Sequence, residues 1–338
     1  MSITFKKKVS STPNVRLPLG TRLNSNGTLL LTSTGISSLD TFIGGGLPIG
    51  SLLLIYEDQN CNLSDSILRC YLSEGIYNKQ DLCVAALRTD PTENLPTKEE
   101  NISSSDNRTD EENEKMKIAW RYENLSTIDS AAASTIHYDL QSSKPIPNEL
   151  KEQVKIHKIT WNDCTSSQSY RQYLLKVLHK LLTNDYSSQQ AEKRILRIGI
   201  QSLSLSLFDS NSANHFDELF AFLYHLRILL RTSLATCVIT LNEKSKLFET
   251  VADLVFELKL SNVIHSDYVA FCQLVKLPKL NTIQPIIPDT WDIGIKLIKH
   301  RKNLVFEKYS IPPDLSADAS RDEKTKSLTC TPSKEFDF

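Results

Sequence analysis

None of the seven cysteines in this 338-residue sequence stands in a C-x-x-C pair, and none belongs to a cluster with metal-ligand spacing. That pattern excludes a zinc-ribbon reading. The odd count also fits reduced thiols in a nuclear or cytosolic setting better than a disulfide framework. Behind the lysines of residues 1–10 there is no apolar stretch, so no secretory signal is expected. The most apolar window, Leu219 to Leu241, is broken by His225, Arg227 and Arg231, which argues against a membrane span. Repeats at solenoid periods are also missing. What is present is ordinary for a globular chain: 40% hydrophobic and 23% charged residues, enough for one large core or two small ones.

A net charge of −1 gives no global attraction for nucleic acid, but the charge is unevenly spread. Asp90 to Glu114 holds nine acids and two bases, whereas Met1 to Gly27 holds five bases and no acid. Those five, Lys6, Lys7, Lys8, Arg16 and Arg22, are the candidate RNA contacts; a targeting or merely solvated role is the alternative for the same arm. The composition predicts a flexible basic arm over 1–27 and a single domain over 28–313. It also predicts an acidic insertion at about 89–114 and a flexible tail over 314–338.

Between these segments the hydrophobic period alternates. Ser51 to Tyr56 is a continuous apolar run, as for a strand covered on both faces, and Ser64 to Ile76 follows with a helical stripe capped by Ser64 or Asp65. Asp81 to Leu87 reads as a strand. Later come a helix Ser169 to Leu182, a strand Ile195 to Ile200, a helix Phe216 to Leu230 and a strand Ala235 to Leu241. Repeated β-α-β order predicts a mostly parallel sheet with helices on both faces. From Asp253 the helices stop: Leu254 to Leu258, Tyr268 to Leu277, Trp291 to Lys299 and Leu304 to Tyr309 read as antiparallel edge strands.

The most informative stretch is Thr34 to Asp58, TGISSLDTFIGGGLPIGSLLLIYED. A short helix with Ser37 and Ser38 at its start runs into Gly44-Gly45-Gly46. These glycines precede the strand, whereas a phosphate-cradling loop must leave a strand and open a helix. They are therefore expected to form a turn at positive φ. A phosphate loop would fall next, at Glu57 to Ser64. Against G-x-x-x-x-G-K-[ST], the glycines become Glu57 and Asn62, the lysine becomes Leu63, and only Ser64 survives. Leu63 has no donor for a phosphate, and a Glu57 carboxylate about 5 Å from one would repel it by roughly 3 kcal/mol. After the strand Ile195 to Ile200, the Walker B acid is replaced by Gln201, a poor magnesium ligand. No catalytic residue and no metal site is assigned. Gln59, Asn62, Leu63, Ser64 and Gln201 form the remnant nucleotide loop.

The string G-x-x-x-L-D-x-x-x-G-G-G-L-P-x-G before an apolar strand resembles the opening of RecA-like ATPase cores. With LSEGI, MKIAWRY, HYDL, LRIGIQSL, ADLVFEL, KLPKLN and a closing IPP, the match from about Ser33 to Pro313 resembles the PAXNEB-type family of the fourth Elongator subunit. The resemblance implies a RecA-like P-loop NTPase core, α/β, with a mostly parallel sheet and antiparallel edge strands near the C-terminus. It implies a hetero-hexameric ring with two other RecA-like Elongator subunits, docked on the catalytic Elongator subcomplex, that binds tRNA and supports wobble-uridine modification. No cofactor is expected for this chain alone, ATP being assigned to ring interfaces. The expected setting is cytoplasmic and nuclear, without membrane contact. Two rivals stand beside this reading: an active RecA-like ATPase working on nucleic acid, and a scaffold module with no nucleic-acid role.

Smaller features carry two readings each. Trp120 and Tyr122, with Lys117 and Arg121, suit either base stacking or subunit packing. Lys296, Lys299, His300, Arg301 and Lys302 suit a phosphate path or the wet face of an edge strand. His137 and Tyr138 show no chemical partner in the sequence.

Overall fold

The computed structural model describes residues 17–24, 26–57, 63–86, 90–98, 138–140, 145–160, 170–190, 192–203, 215–261, 268–280, 287–288, 290–298 and 303–309. In chain order the strands are β1 (Thr21–Leu23), β2 (Leu30–Thr32), β3 (Leu47–Pro48), β4 (Leu52–Tyr56), β5 (Asp81–Ala86), β6 (Thr97–Lys98) and β7 (Tyr138–Asp139). They continue with β8 (Ile156–Thr160), β9 (Leu196–Ile200), β10 (Ala235–Leu241), β11 (Leu254–Leu260), β12 (Ala270–Lys276), β13 (Asp292–Ile298) and β14 (Asn303–Lys308). The helices are α1 (Ser37–Phe42), α2 (Leu63–Tyr77), α3 (Asn148–Glu152), α4 (Tyr170–Lys180), α5 (His215–Arg231) and α6 (Lys246–Val251), with a π turn over Leu181–Asp185 closing α4.

Nine strands form one sheet in the order β14-β13-β12-β11-β4-β10-β9-β5-β8. The six from β11 to β8 are parallel, and β12 to β14 extend the sheet antiparallel. Side-chain alternation along each strand divides the core. Leu53 and Ile55 of β4, Leu82 and Val84 of β5 and Val238 of β10 face one side, against α1 and α2. Leu52, Leu54 and Tyr56, with Cys83, Ile198 and Cys237, face the other, against α4, α5 and α6. The strands of a sheet covered this way must be apolar at every position, which is why SLLLIY and ATCVITL carry no surface residue.

The expected α/β architecture is therefore present, with corrections at its margins. Leu254–Leu260 is not an antiparallel edge strand. It pairs parallel to β4, with Leu254 opposite Leu53, and α6 supplies the crossover. That helix went unseen because its six residues are too few for a 3.6-residue period to register. Antiparallel pairing starts at β12. Lys276, at its end, donates to the carbonyls of Glu249 (2.8 Å), Thr250 (3.1 Å) and Ala252 (2.6 Å), closing the C-terminus of α6. Strand β8 also escaped the sequence reading, its edge position letting polar residues alternate with Ile156 and Ile159.

The expected basic arm has structure at its end. Thr21–Leu23 pairs antiparallel with Leu30–Thr32, which pairs in turn with β3. Gly44, Gly45 and Gly46 have φ of 84°, 105° and 129°, the positive-φ turn foreseen from their place before the strand. A Cβ on Gly46 would sit 2.5 Å from the Thr32 carbonyl oxygen, so only glycine lets β3 fold back onto β2. The acidic segment likewise begins in ordered structure. Leu95 is buried and Lys158 pairs with Asp90 at 2.6 Å. Residues 99–137, which include the rest of the acidic stretch with Lys117, Trp120, Arg121, Tyr122 and His137, lie outside the described residues, as do 299–302 and 310–338.

A buried arginine links the small sheet to the large one. Arg197 of β9 is fully buried and faces α2. Its guanidinium donates to Gln80 Oε1 (2.6 Å), the Ser33 and Tyr71 carbonyls (both 2.9 Å) and Thr32 Oγ1 (2.7 Å), and lies 4.7 Å from the centre of the Tyr71 ring. Gly75 makes room: a Cβ there would meet Leu82 at 2.6 Å and Arg197 at 2.9 Å.

Candidate functional site

Strand β4 ends at the carboxyl edge of the parallel sheet and α2 starts at Leu63; residues 58–62 between them, including Gln59 and Asn62, lie outside the described residues. Around that gap the structure brings Glu57, Leu63, Ser64, Asp65, Gln201 and Ser202 together. Glu57 continues the parallel ladder, its N–H donating to Leu241 O at 3.0 Å, which aims its side chain beyond the strand end. Strand β10 lies between β4 and β9, so Gln201 approaches from two strands away.

Ser64 is neither a helix cap nor free. Helix α2 begins at Leu63, placing Ser64 inside it, and its hydroxyl donates to Glu57 Oε2. The other Glu57 oxygen accepts from the Ser202 hydroxyl at 3.5 Å. Ser202 is held in a left-handed conformation, φ 45°, by its N–H donating to Thr240 Oγ1 at 2.7 Å. Gln201 spends its amide on Asp65 Oδ1 at 2.8 Å, and Asp65 pairs with Arg69 at 2.9 Å. Leu63 packs against the core on the α2 side. Burial pushes the Glu57 carboxyl above the ordinary carboxylate range, opposed by its serine partners. Burial raises Asp65 as well, against the pull of Arg69. The result is a pair of carboxylates satisfied by neighbouring side chains at the place where a phosphate would sit.

Two of these residues escaped sequence reasoning. Asp65 was seen only as an alternative cap, and Ser202 not at all; each acquires its role through a partner distant in sequence, Gln201 and Thr240 respectively. The short helix α1 differs in the same way. No side chain caps its N-terminus; instead buried Asp40 reaches back to accept from Thr34 N–H (2.9 Å), Thr34 Oγ1 (2.7 Å) and Ser33 Oγ (2.6 Å). Ser38 accepts from the Phe306 N–H at 3.0 Å. Tyr138 has a partner after all, its hydroxyl donating to buried Glu74.

Of the five basic residues offered as RNA contacts, Lys6, Lys7, Lys8 and Arg16 lie outside the described residues. Arg22 folds back onto the glycine turn, its Nε donating to Gly45 O at 3.0 Å. Lys296 pairs with Glu307 at 2.5 Å and lies 4.7 Å over the Tyr268 ring. Among the described residues, no helix is long and apolar enough to cross a membrane, and no group of three His, Cys, Asp or Glu could hold a metal ion.

The parallel sheet with helices on both faces, the glycine turn before the central strand and the loop position after it together define a RecA-like α/β protein. The comparisons with known proteins are narrower. The chain belongs to the PAXNEB family, whose profile, described as PAXNEB protein, matches residues 14–338. It is 33% identical to Elongator complex protein 4 of Xenopus laevis, over 95% of this chain and 89% of that one. It is 32% identical to the human protein of that name, over 90% and 82%, and 27% identical to the Schizosaccharomyces pombe one, over 76% and 74%.

Proposed function

We propose that this chain is a non-catalytic RecA-like subunit of the Elongator complex. It assembles with two other RecA-like Elongator subunits into a six-membered ring that docks on the catalytic Elongator subcomplex. There it supports wobble-uridine modification by holding tRNA, in the cytoplasm and nucleus. Family membership supports the Elongator assignment, and one observation supports the non-catalytic part. Every described polar group at the remnant loop is committed to another: Ser64 to Glu57, and Gln201 to Asp65. A magnesium triphosphate fits this arrangement badly. Leu63 offers no cation, Gln201 no carboxylate, and Glu57 and Asp65 would both face the phosphates. ATP, where the ring uses it, is held at interfaces by groups from neighbouring subunits.

Native mass measurement after co-expression with the candidate RecA-like partners tests the ring; a six-membered species with two copies of each subunit is expected, and a chain that stays alone refutes it. ATP turnover by the isolated folded chain tests the rest. The expected result is no hydrolysis above background, and robust turnover removes the non-catalytic assignment.

A further inference from the structure

The amino edge of the parallel strands, opposite the remnant loop, carries a cavity of about 590 Å³. Besides Leu19, which precedes β1, three segments line it: the turn after α2 with Lys79, the entry to β8 with Lys155, and the entry to β9 with Lys193 and Arg194. Asp81, only 1% exposed, ties the three together. Its carboxylate accepts from the Lys155 N–H at 2.8 Å and the Tyr186 hydroxyl at 2.9 Å, and Arg194 approaches it at 3.6 Å. The walls are thus fixed by a buried anchor rather than by the side chains that line the opening.

The charges lining the cavity do not balance. Arg194 is spent on Asp81 and, at 3.1 Å, on Glu192. Lys79, Lys155 and Lys193 are exposed, and none has a side-chain hydrogen bond or ion pair among the described residues. Against three uncommitted ammonium groups, the described lining residues offer one carboxylate that no described cation neutralises, Glu152. Leu19, Val154 and Ile195 supply apolar wall. A concave site of this size with a few converging charges is the usual form of a small-ligand pocket, and lysine binds phosphate as a point charge.

We propose that this cavity binds a phosphate-bearing ligand through Lys79, Lys155 and Lys193. This goes beyond the ring reading and does not depend on it. Two sources share that chemistry, a stretch of single-stranded RNA backbone and a free mononucleotide, and they separate by experiment. The full chain is titrated with a uridine pentanucleotide and with AMP across a series of salt concentrations. With three phosphate contacts, the logarithm of RNA affinity should fall with the logarithm of salt at a slope of about −2.

The variant K79N/K155Q/K193Q should lose at least about tenfold in affinity and most of that slope, with its melting temperature unchanged. Asn is chosen at position 79 because the backbone there is left-handed, φ 55°. The opposite change, Glu152→Gln, should tighten binding about threefold, which keeps the site testable without relying on loss. Binding of the pentanucleotide alone assigns the site to RNA backbone, and equal binding of AMP assigns it to a mononucleotide. The proposal is overturned if neither binds at millimolar concentration or if the triple variant binds like the native chain. An equal loss of affinity from Lys180→Gln, on α4, overturns it as well.

Discussion

The two ends of the parallel strands handle charge in opposite ways. At the carboxyl edge Glu57 and Asp65 stand within one small cluster, and the polar side chains around them are consumed in holding them. At the amino edge a buried carboxylate is matched by cations. Asp253 accepts from Arg231 at 2.5 Å and Arg227 at 3.3 Å, and from the Leu52 N–H at 3.0 Å; Arg231 also donates to the Gly50 carbonyl at 3.1 Å. In open α/β sheets the carboxyl edge is where ligands bind. Here that edge carries the unfavourable charge pair and the other edge the favourable one. Architecture and chemistry are therefore separable: the strands keep their order and register while the residues at their ends change sign.

The sharpest way to break this comparison is at Arg197, whose loss strands four acceptors at once, three of them buried. Arg197→Met should lower stability by at least about 3 kcal/mol in urea unfolding, and Arg197→Lys should fail to restore it, because one ammonium cannot span all four. Less than 1 kcal/mol would mean that water reaches the site. Next comes Asp253→Ala, which leaves the Leu52 N–H without an acceptor and two arginines facing each other. About 2–3 kcal/mol should be lost, with Arg227→Gln in the same background recovering part. Gly75→Ala is smaller. Alanine favours helix by about 1 kcal/mol, but contacts at 2.6 and 2.9 Å require Leu82 and Arg197 to move, so a net loss of about 1–2 kcal/mol is expected.

The smallest effect belongs to the carboxyl edge and has the opposite sign. Burial raises the pKa of Glu57 and of Asp65 above the ordinary 4.5 and 3.8. Each therefore favours the fold while protonated, and that contribution is lost as pH rises through the elevated values. Glu57→Gln with Asp65→Asn keeps an acceptor for Ser64 and Gln201 but removes the charge. The pair should raise the melting temperature by about 1–3 °C at pH 7 and leave it unchanged at pH 3.5, measured calorimetrically. A lower melting temperature at pH 7 would show that the carboxylates are stabilising instead.

What could be read from the residues alone follows the physics of each element. Strands β4, β9 and β10 are covered on both faces, so their apolar runs announced them. The glycine turn was legible because only glycine tolerates φ of 129° against the Thr32 carbonyl. Leu63 and Gln201 were legible as departures from a pattern. What was not legible depended on distant partners. Arg197 sits in an apolar run as a single anomalous charge, and that anomaly was the available signal; its partners Thr32, Ser33, Tyr71 and Gln80 are scattered along the chain. Ser64 resembled a cap only because the helix start at Leu63 could not be placed to within one residue. The parallel pairing of β11 depended on α6, too short to announce itself.

Lys276 has a consequence for how the molecule comes apart. Its ammonium joins the first antiparallel strand to the last turn of α6, the helix that delivers the chain into the parallel sheet. The late strands therefore cannot peel away as a separate foldon without uncapping that crossover. Amide protons in β12 should exchange no faster than those in β11, and the C-terminal part of the chain should open in one cooperative step with the centre of the protein.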